Sequence, residues 1–192
     1  YTSGSTGIPK GVTIQHQSLV CRLDYLSTLY KVTSKDKFIH YRSFCFDGAL
    51  EEYLLPITNS ACVFIYTSNK FHIEKFLNII KLLKINIVNL SPRLLQFIFR
   101  YKNIKKYISK ITRIISGGEL LQKSTGSRTL NELKKAVLYN TYGPTETTID
   151  ATYYVNSNNG FYSVPIGRPI SNTQIYILDS YMNLVPVGVG GE

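Results

Sequence analysis

The residues best equipped for chemistry open the chain: Tyr1-Thr2-Ser3-Gly4-Ser5-Thr6-Gly7-Ile8-Pro9-Lys10-Gly11-Val12. Four aliphatic hydroxyls, three glycines and one lysine crowd together there, ahead of a return to apolar sequence. Glycine lets backbone N–H groups turn inward around an anion, Ser and Thr add short donors, and the lysine adds a compact positive charge for a phosphate. Such a loop grips a polyphosphate. Its spacing is not that of a Walker A loop, because only Ile8-Pro9 separates Gly7 from Lys10 and Gly11 follows the lysine. A flexible Gly/Ser linker would not carry Pro-Lys-Gly directly before Val-Thr-Ile.

A second constellation is Asn140-Thr141-Tyr142-Gly143-Pro144-Thr145-Glu146-Thr147-Thr148. It joins an aromatic face, a Gly-Pro turn, a hydroxyl and a carboxylate. A nucleotide site needs a ring to cover the base, a donor for the α-phosphate and an oxygen ligand for magnesium. That ion favours one or two carboxylates together with phosphate oxygens and water. Taken singly, each residue would also suit a turn before a Thr-rich strand. The third candidate is Phe44-Cys45-Phe46-Asp47-Gly48, where Asp47 stands ahead of a helical stretch and would also serve as an N-cap.

The elements that must hold these residues alternate. Val12-Thr13-Ile14 reads as a strand end. A helix follows over residues 16–30, with Leu19, Leu23, Leu26 and Leu29 or Tyr30 on one face. Strands are expected at 38–41, 61–66, 85–90, 111–116 and 136–140, and His40 reads as a packed strand histidine. The continuous apolar run 61–66 suits a parallel strand covered on both faces. Helices are expected at 49–55, 73–83, from Ser91-Pro92 onward, and at 123–135. Residues 1–140 therefore form the alternating strand/helix part of an α/β domain with a mostly parallel sheet flanked by helices. Ligands of such sheets bind at the carboxyl ends of strands, where Gly117-Gly118-Glu119 and residues 141–146 fall. Residues 141–192 are more β-rich, with strands at 148–155 and 173–178, a polar loop at 156–160 and a turn at 165–169.

Composition narrows the alternatives. Hydrophobic content of 44% and charged content of 18% fit an ordinary globular domain. No apolar run is long enough to span a bilayer and no basic-then-apolar leader opens the chain, so a cytoplasmic protein is expected. Cys21, Cys45 and Cys62 form no Cys-x-x-Cys pair and read as buried small apolar residues in a reducing compartment. The net charge of +10 is concentrated only at Lys102, Lys105, Lys106 and Lys110. Only Tyr101 and Tyr107 interleave with that cluster, too few for base stacking, so it reads as a solvated face. Neither nucleic acid nor membrane is expected as a partner. No Ser/His/Asp set, His/Cys metal cluster or carboxylate pair offers a competing chemistry.

Taken in order, the motifs resemble the adenylate-forming (AMP-binding) superfamily, and specifically the amino-acid adenylation domains of nonribosomal peptide synthetases. The opening loop, Phe46-Asp47, Gly117-Gly118-Glu119, the 140–148 run, Pro165-Ile166-Gly167-Arg168-Pro169, residues 172–179 and residues 188–192 all fall in family order. The resemblance implies that Thr2, Ser3, Gly4, Ser5, Thr6, Gly7 and Lys10 hold the β- and γ-phosphates of ATP. Thr145 would contact the α-phosphate and Glu146 the Mg2+. Tyr142 would stack on adenine, with Gly117, Gly118, Asn140 and Thr141 lining the base. Phe46 would sit beside the reacting carboxylate and Asp47 would hold the α-ammonium of an amino acid. The substrate pocket carried over from the family comprises Asp47, Gly48, Glu51, Asn89, Ile115, Gly117, Thr141, Ile149 and Asp150.

Glu51 and Asp150 are extra acids in that pocket. Buried carboxylates without partners are costly, so a basic substrate of the ornithine, lysine or diaminobutyrate kind would match them. The equal alternative is that Glu51 points away and pairs locally on its helix, or that Asp150 faces solvent. The resemblance further implies a carrier domain with phosphopantetheine, in the same polypeptide, as the partner that receives the activated amino acid. It also implies that 1–192 is a partial AMP-binding core. The family's Tyr-x-Thr-Gly-Asp motif, hinge and small C-terminal domain with the catalytic lysine would lie beyond residue 192. The segment alone is then expected to be inactive and not robustly folded. A free-standing adenylating ligase, of the D-alanine–carrier-protein ligase or acyl-CoA synthetase type, and a non-catalytic nucleotide-binding fragment are the other readings.

Overall fold

The computed structural model describes residues 1–2, 7–68, 70–156 and 163–192. In chain order its elements are α1 (His16–Tyr30), β1 (Lys37–His40), α2 (Gly48–Thr58), β2 (Cys62–Ile65), α3 (Ile73–Leu83), β3 (Ile87–Asn89), α4 (Pro92–Ile98), α5 (Lys105–Ile108), β4 (Arg113–Gly117), α6 (Lys123–Glu132), β5 (Val137–Tyr142), a 3-10 turn (Thr145–Thr147), β6 (Thr152–Asn156) and β7 (Arg168–Pro169). The strands make one sheet in the order β2-β1-β3-β4-β5-β6-β7. Pairings from β2 to β5 are parallel, while β5–β6 and β6–β7 are antiparallel. This is the expected α/β architecture with a mostly parallel sheet.

Alternation along the parallel strands splits the core into two. Ile39, Val88, Ile114 and Leu138 point to one face, under α3, α4 and α5, in a cluster that holds Phe76, Leu77, Leu95 and Ile108. Their neighbours Phe38, Ile87, Ile115 and Tyr139 point to the other, where Leu23, Leu26 and Tyr30 of α1 and Leu55 of α2 cover them. The period of two thus places a helical layer on each side of the sheet. Helix starts and stops follow local chemistry. Ser91 Oγ accepts from Leu94 N–H at 3.2 Å with Pro92 in the first turn of α4. Lys31 and Lys84 end α1 and α3 in the left-handed conformation, returning N–H groups to the last-turn carbonyls.

Five expectations need correction. The apolar run 61–66 forms β2, but β2 is an edge strand and its Cys62 and Ile65 are exposed, because among the described residues nothing pairs beyond it in this sheet. Residues 12–14 carry no strand ladder; the pairing in that region is the bridge between Thr2 and Lys10. The strand expected at 148–155 starts only at Thr152, since Thr148 and Ile149 adopt φ of 65° and 74° and turn the chain. Residues 173–178 form no strand beyond a single bridge, Leu178 with Leu184. The three cysteines are free and exposed rather than buried. Cys21 lies on the outer side of α1, Cys45 in the turn after β1 and Cys62 on the sheet edge.

Candidate nucleotide and substrate site

The parallel strands deliver their carboxyl ends to one edge, and the candidate residues gather there. β1 leads through Tyr41 and Arg42 to Asp47, β3 ends at Asn89, β4 at Gly117 and β5 at Thr141-Tyr142. Between the ends of β4 and β5 lies a cavity of about 390 Å³ lined by Gly118, Glu119, Asn140, Thr141, Tyr142, Gly143 and Pro144, with Leu121, Val164 and Ile166 supplying an apolar floor. Its size is within the usual range for small-ligand sites. Glycine is required at the join. A Cβ on Gly117 would collide with the Thr141 hydroxyl and stand 2.8 Å from the Thr141 carbonyl oxygen. Gly118, with φ +82°, takes a conformation that side chains rarely adopt. Asn140 Nδ2 donates to the Pro165 carbonyl at 2.7 Å, pinning the 165–169 turn over the cavity. Tyr142 leaves half of its ring exposed at the cavity mouth, free to cover a planar base.

Past Pro144 the chain turns through Thr145–Thr147. Glu146 is exposed and lies not in that cavity but in an adjoining groove of about 550 Å³, with Gln15, Ser18, Cys21 and Arg22 of the α1 side and Ser171 to Gln174 opposite. Among the described residues no group of three His, Cys, Asp or Glu stands ready to hold a metal. Glu146 would thus be a lone protein ligand, which suits magnesium held mainly by phosphate oxygens and water. The opening loop is closed at its base by Thr2 N–H to Lys10 O and Lys10 N–H to Thr2 O, both 2.9 Å. Gly7 sits at φ +78° and Lys10 is exposed, while Ser3, Gly4, Ser5 and Thr6 lie outside the described residues.

Behind the cavity, toward α2, is a buried cluster of charge. Asp47, half-buried, caps α2 by accepting from Gly48 N–H at 2.8 Å, so the capping role is real and uses one carboxylate oxygen. Phe46 is exposed beside it. Glu51 is buried, not paired locally on its helix; Asn89 Nδ2 lies 3.4 Å from its Oε2. Asn89 Oδ1 in turn accepts from Arg42 Nη2 at 2.7 Å. Arg42 reaches there by passing over Gly48, where any Cβ would strike its guanidinium. Asp150 is buried too and does not face solvent, and its Oδ2 has no hydrogen-bond partner among the described residues. Burial raises the carboxyl of Glu51 well above its ordinary range, and Asp150 adds to the rise. Burial also pushes Asp150 up to about 6, against the pull of Thr141 and Arg22. Ile115 and Ile149 are buried apolar neighbours of this acid cluster.

Several participants had no motif to announce them. Glu52, also buried, accepts from the backbone of Tyr41 at 3.1 Å and Arg42 at 3.3 Å, with Arg42 Nε at 3.1 Å and His40 Nδ1 at 3.3 Å. It fixes the turn that carries Phe46 and Asp47. The His40–Glu52 approach is not a hydrogen bond, and burial lowers the basicity of His40 so that it stays neutral near pH 7. Arg22 on α1 is buried, with Nε donating to Thr148 O at 2.9 Å and Nη2 to Thr147 O at 3.1 Å. A signal existed: Arg22 stands on the apolar stripe of its helix with Leu19, Leu23 and Leu26, where a charge needs a partner. Lys102, Lys105, Lys106 and Lys110 are exposed, Lys105 Nζ lies 3.2 Å from Glu132, and Lys106 Nζ lies 4.8 Å from the Tyr107 ring centre.

A mostly parallel sheet with a helical layer on each face and a glycine-walled cavity at the carboxyl ends of its strands is the arrangement in which α/β proteins bind their ligands. Residues 1–192 match the family described as AMP-binding enzyme along their full length, and the chain belongs to that family. It is 37% identical to tyrocidine synthase 3 of Brevibacillus parabrevis over 194 residues, covering all of this chain and 3% of that protein. It is 34% identical to malpibaldin synthetase of Mortierella alpina (4% of that protein) and 32% identical to zwittermicin A synthase ZmaJ of Bacillus cereus (38%). Among solved structures it resembles a four-domain nonribosomal peptide synthetase bound to AMP and glycine, with TM-score 0.83, 25% identity and coverage of 94% of this chain and 13% of that one. The Vibrio cholerae adenylation domain AlmE shares the fold at TM-score 0.85 and 22% identity, over 95% of this chain and 35% of that one. The chain spans only a small part of the curated relatives it matches. Among the described residues no helix is long and apolar enough to cross a membrane.

Proposed function

We propose that these residues form the nucleotide and substrate walls of an amino-acid adenylation site. An oxygen of the amino-acid carboxylate attacks the α-phosphorus of ATP. The new P–O bond forms as the bond to the β-phosphate bridging oxygen breaks, giving an aminoacyl-adenylate and pyrophosphate. The observation that carries this reading is the place of Thr141. It lines the nucleotide cavity and it is also the neighbour that most lowers the Asp150 carboxyl, so the acid-lined pocket lies directly behind the nucleotide wall.

In this reading Tyr142 covers adenine, Thr145 faces the α-phosphate, and the opening loop with Lys10 holds the terminal phosphates. Glu146 would hold magnesium, whose charge offsets that of the triphosphate. Asp47 keeps one carboxylate oxygen outside its capping bond for the substrate ammonium. Positioning and charge neutralisation are the protein's main contributions to such a transfer. Glu51 and Asp150 favour a basic side chain, since both are buried among few cations. The activated acyl group would pass to phosphopantetheine on a carrier domain of the same polypeptide. Amino-acid-dependent ATP–pyrophosphate exchange by the complete enzyme tests both levels. Exchange supported best by ornithine, lysine or diaminobutyrate is expected. A preference for small neutral or aromatic amino acids rejects the basic pocket, and exchange that ignores every amino acid rejects adenylation.

A further inference from the structure

Arg22 belongs to none of the family motifs, yet it touches both the turn and the charge of the substrate pocket. The Thr148 carbonyl accepts from Arg22 Nε at 2.9 Å and from the N–H of Asp150 at 3.0 Å, so one oxygen ties the helix to the pocket acid. Arg22 Nη2 holds Thr147 in the same way. The turn so gripped is one that needs gripping. Thr148 and Ile149 both have positive φ, and for a β-branched residue such as Ile149 that conformation is strained. The third guanidinium nitrogen, Nη1, is buried with no hydrogen-bond partner among the described residues, as are Asp150 Oδ2 and the Tyr30 hydroxyl.

We propose that Arg22 is a specificity-determining positioning residue: it clamps the turn that presents Ile149 and Asp150, and supplies the positive charge that keeps Asp150 available as a carboxylate for a cationic side chain. The count is short. Three buried carboxylates, Glu51, Glu52 and Asp150, face two buried guanidinium groups, Arg22 and Arg42. Glu52 is matched by Arg42 at 3.1 Å. Arg22 is left to serve Glu51 and Asp150; burial favours the neutral form of Glu51, so Asp150 is the acid whose charge Arg22 offsets. Asp47 stands outside this count because the substrate ammonium takes it. The other groups facing the pair do not change the balance: Tyr30 from α1 is held protonated by burial, and His40 from β1 is neutral. Asn89 from β3 and Thr141 from β5 are uncharged. Arg22 is among the groups that hold the Asp150 carboxyl down, so its removal moves that titration upward.

This inference rests on the adenylation reading, and one experiment separates the two. In the complete enzyme, amino-acid-dependent ATP–pyrophosphate exchange is measured for wild type, Arg22→Met and Arg22→Lys from pH 6 to 9. Ornithine and its uncharged analogue norvaline are the probes. The expected result is that the pH at which the ornithine KM rises moves upward by roughly one unit in Arg22→Met, a tenfold change in protonation equilibrium. It should return toward wild type in Arg22→Lys, while the KM for ATP stays within about twofold. If Arg22→Met is too unstable to assay, the Arg22→Met/Asp150→Asn double variant should melt above the single one, because the stranded acid is gone. Superimposable pH profiles in Arg22→Met and wild type, or a double variant no more stable than Arg22→Met, would overturn the role of Arg22. Wild type without amino-acid-dependent exchange would instead overturn the adenylation reading itself.

Discussion

Glu52 offers a clean test of how burial and ion pairing compete beneath the substrate turn. Its carboxylate has Arg42 Nε at 3.1 Å and accepts two backbone N–H bonds, all of which favour the charged form. Its side chain is only 2% exposed, which favours the neutral form. Burial wins, and the carboxyl rises from 4.5 to about 7. At about 1.4 kcal/mol per pH unit, that rise corresponds to roughly 3 kcal/mol. A carboxyl raised by folding binds its proton more tightly in the native state than in the unfolded chain. Its contribution is therefore fully present below pH 4.5 and is lost as pH climbs through about 7. Glu52→Gln keeps the shape and removes the titration. Urea unfolding of wild type and Glu52→Gln at pH 4.5, 6 and 8, in the complete enzyme, reads the difference. Relative to wild type, Glu52→Gln should gain about 3 kcal/mol between pH 4.5 and 8, most of it between pH 5 and 7. A difference that stays flat, or that turns against Glu52→Gln above pH 7, would refute the reasoning. It would mean that Arg42 and the backbone donors hold Glu52 ionised throughout.

Other perturbations probe separate links. Asp47→Ala in the complete enzyme should cost about 2–5 kcal/mol in amino-acid kcat/KM, at least 30-fold, by leaving the substrate ammonium unpaired. The KM for ATP should move little, and an equal loss on both substrates would point to the lost helix cap instead. Gly117→Ala forces a methyl against Thr141 across the β4–β5 pair, so nucleotide KM should rise and stability should fall by about 1–3 kcal/mol. Isothermal titration with AMP and a denaturation curve check the two effects. Leu26→Ala empties a site in the α1 layer that is 1% exposed and should cost about 2–5 kcal/mol. Leu82→Ala, at a position 79% exposed, should stay within about 0.5 kcal/mol on the same denaturation assay.

Much of the cavity wall proposed to hold the nucleotide was legible because its residue types cluster locally. A run such as 140–148 carries ring, turn, hydroxyl and carboxylate within one short stretch, and Gly117-Gly118 follows a strand directly. Strand alternation was legible for the same reason. Phe38/Ile39, Ile87/Val88, Ile114/Ile115 and Leu138/Tyr139 each put one side chain on each face, and that period is written in adjacent residues. Phosphate-loop positions 3–6 were equally plain in sequence, though they fall outside the described residues.

What only tertiary structure decided is which charges meet. Arg22 and the Thr148 carbonyl are 126 positions apart, Arg42 and Asn89 are 47 apart, and neither pairing has a local signature. Whether Glu51 and Asp150 turn inward depended on those partners, because burying a carboxylate is tolerable only where donors or cations already wait. Exposure was decided in the same way. The apolar run at 61–66 reads as a covered strand, but β2 lies at the edge of the sheet, and the cysteines read as core yet sit on outer surfaces. Residue types along the chain determined the elements. The order of strands in space determined which side chains are starved of water, and hence which acids this pocket presents to a substrate.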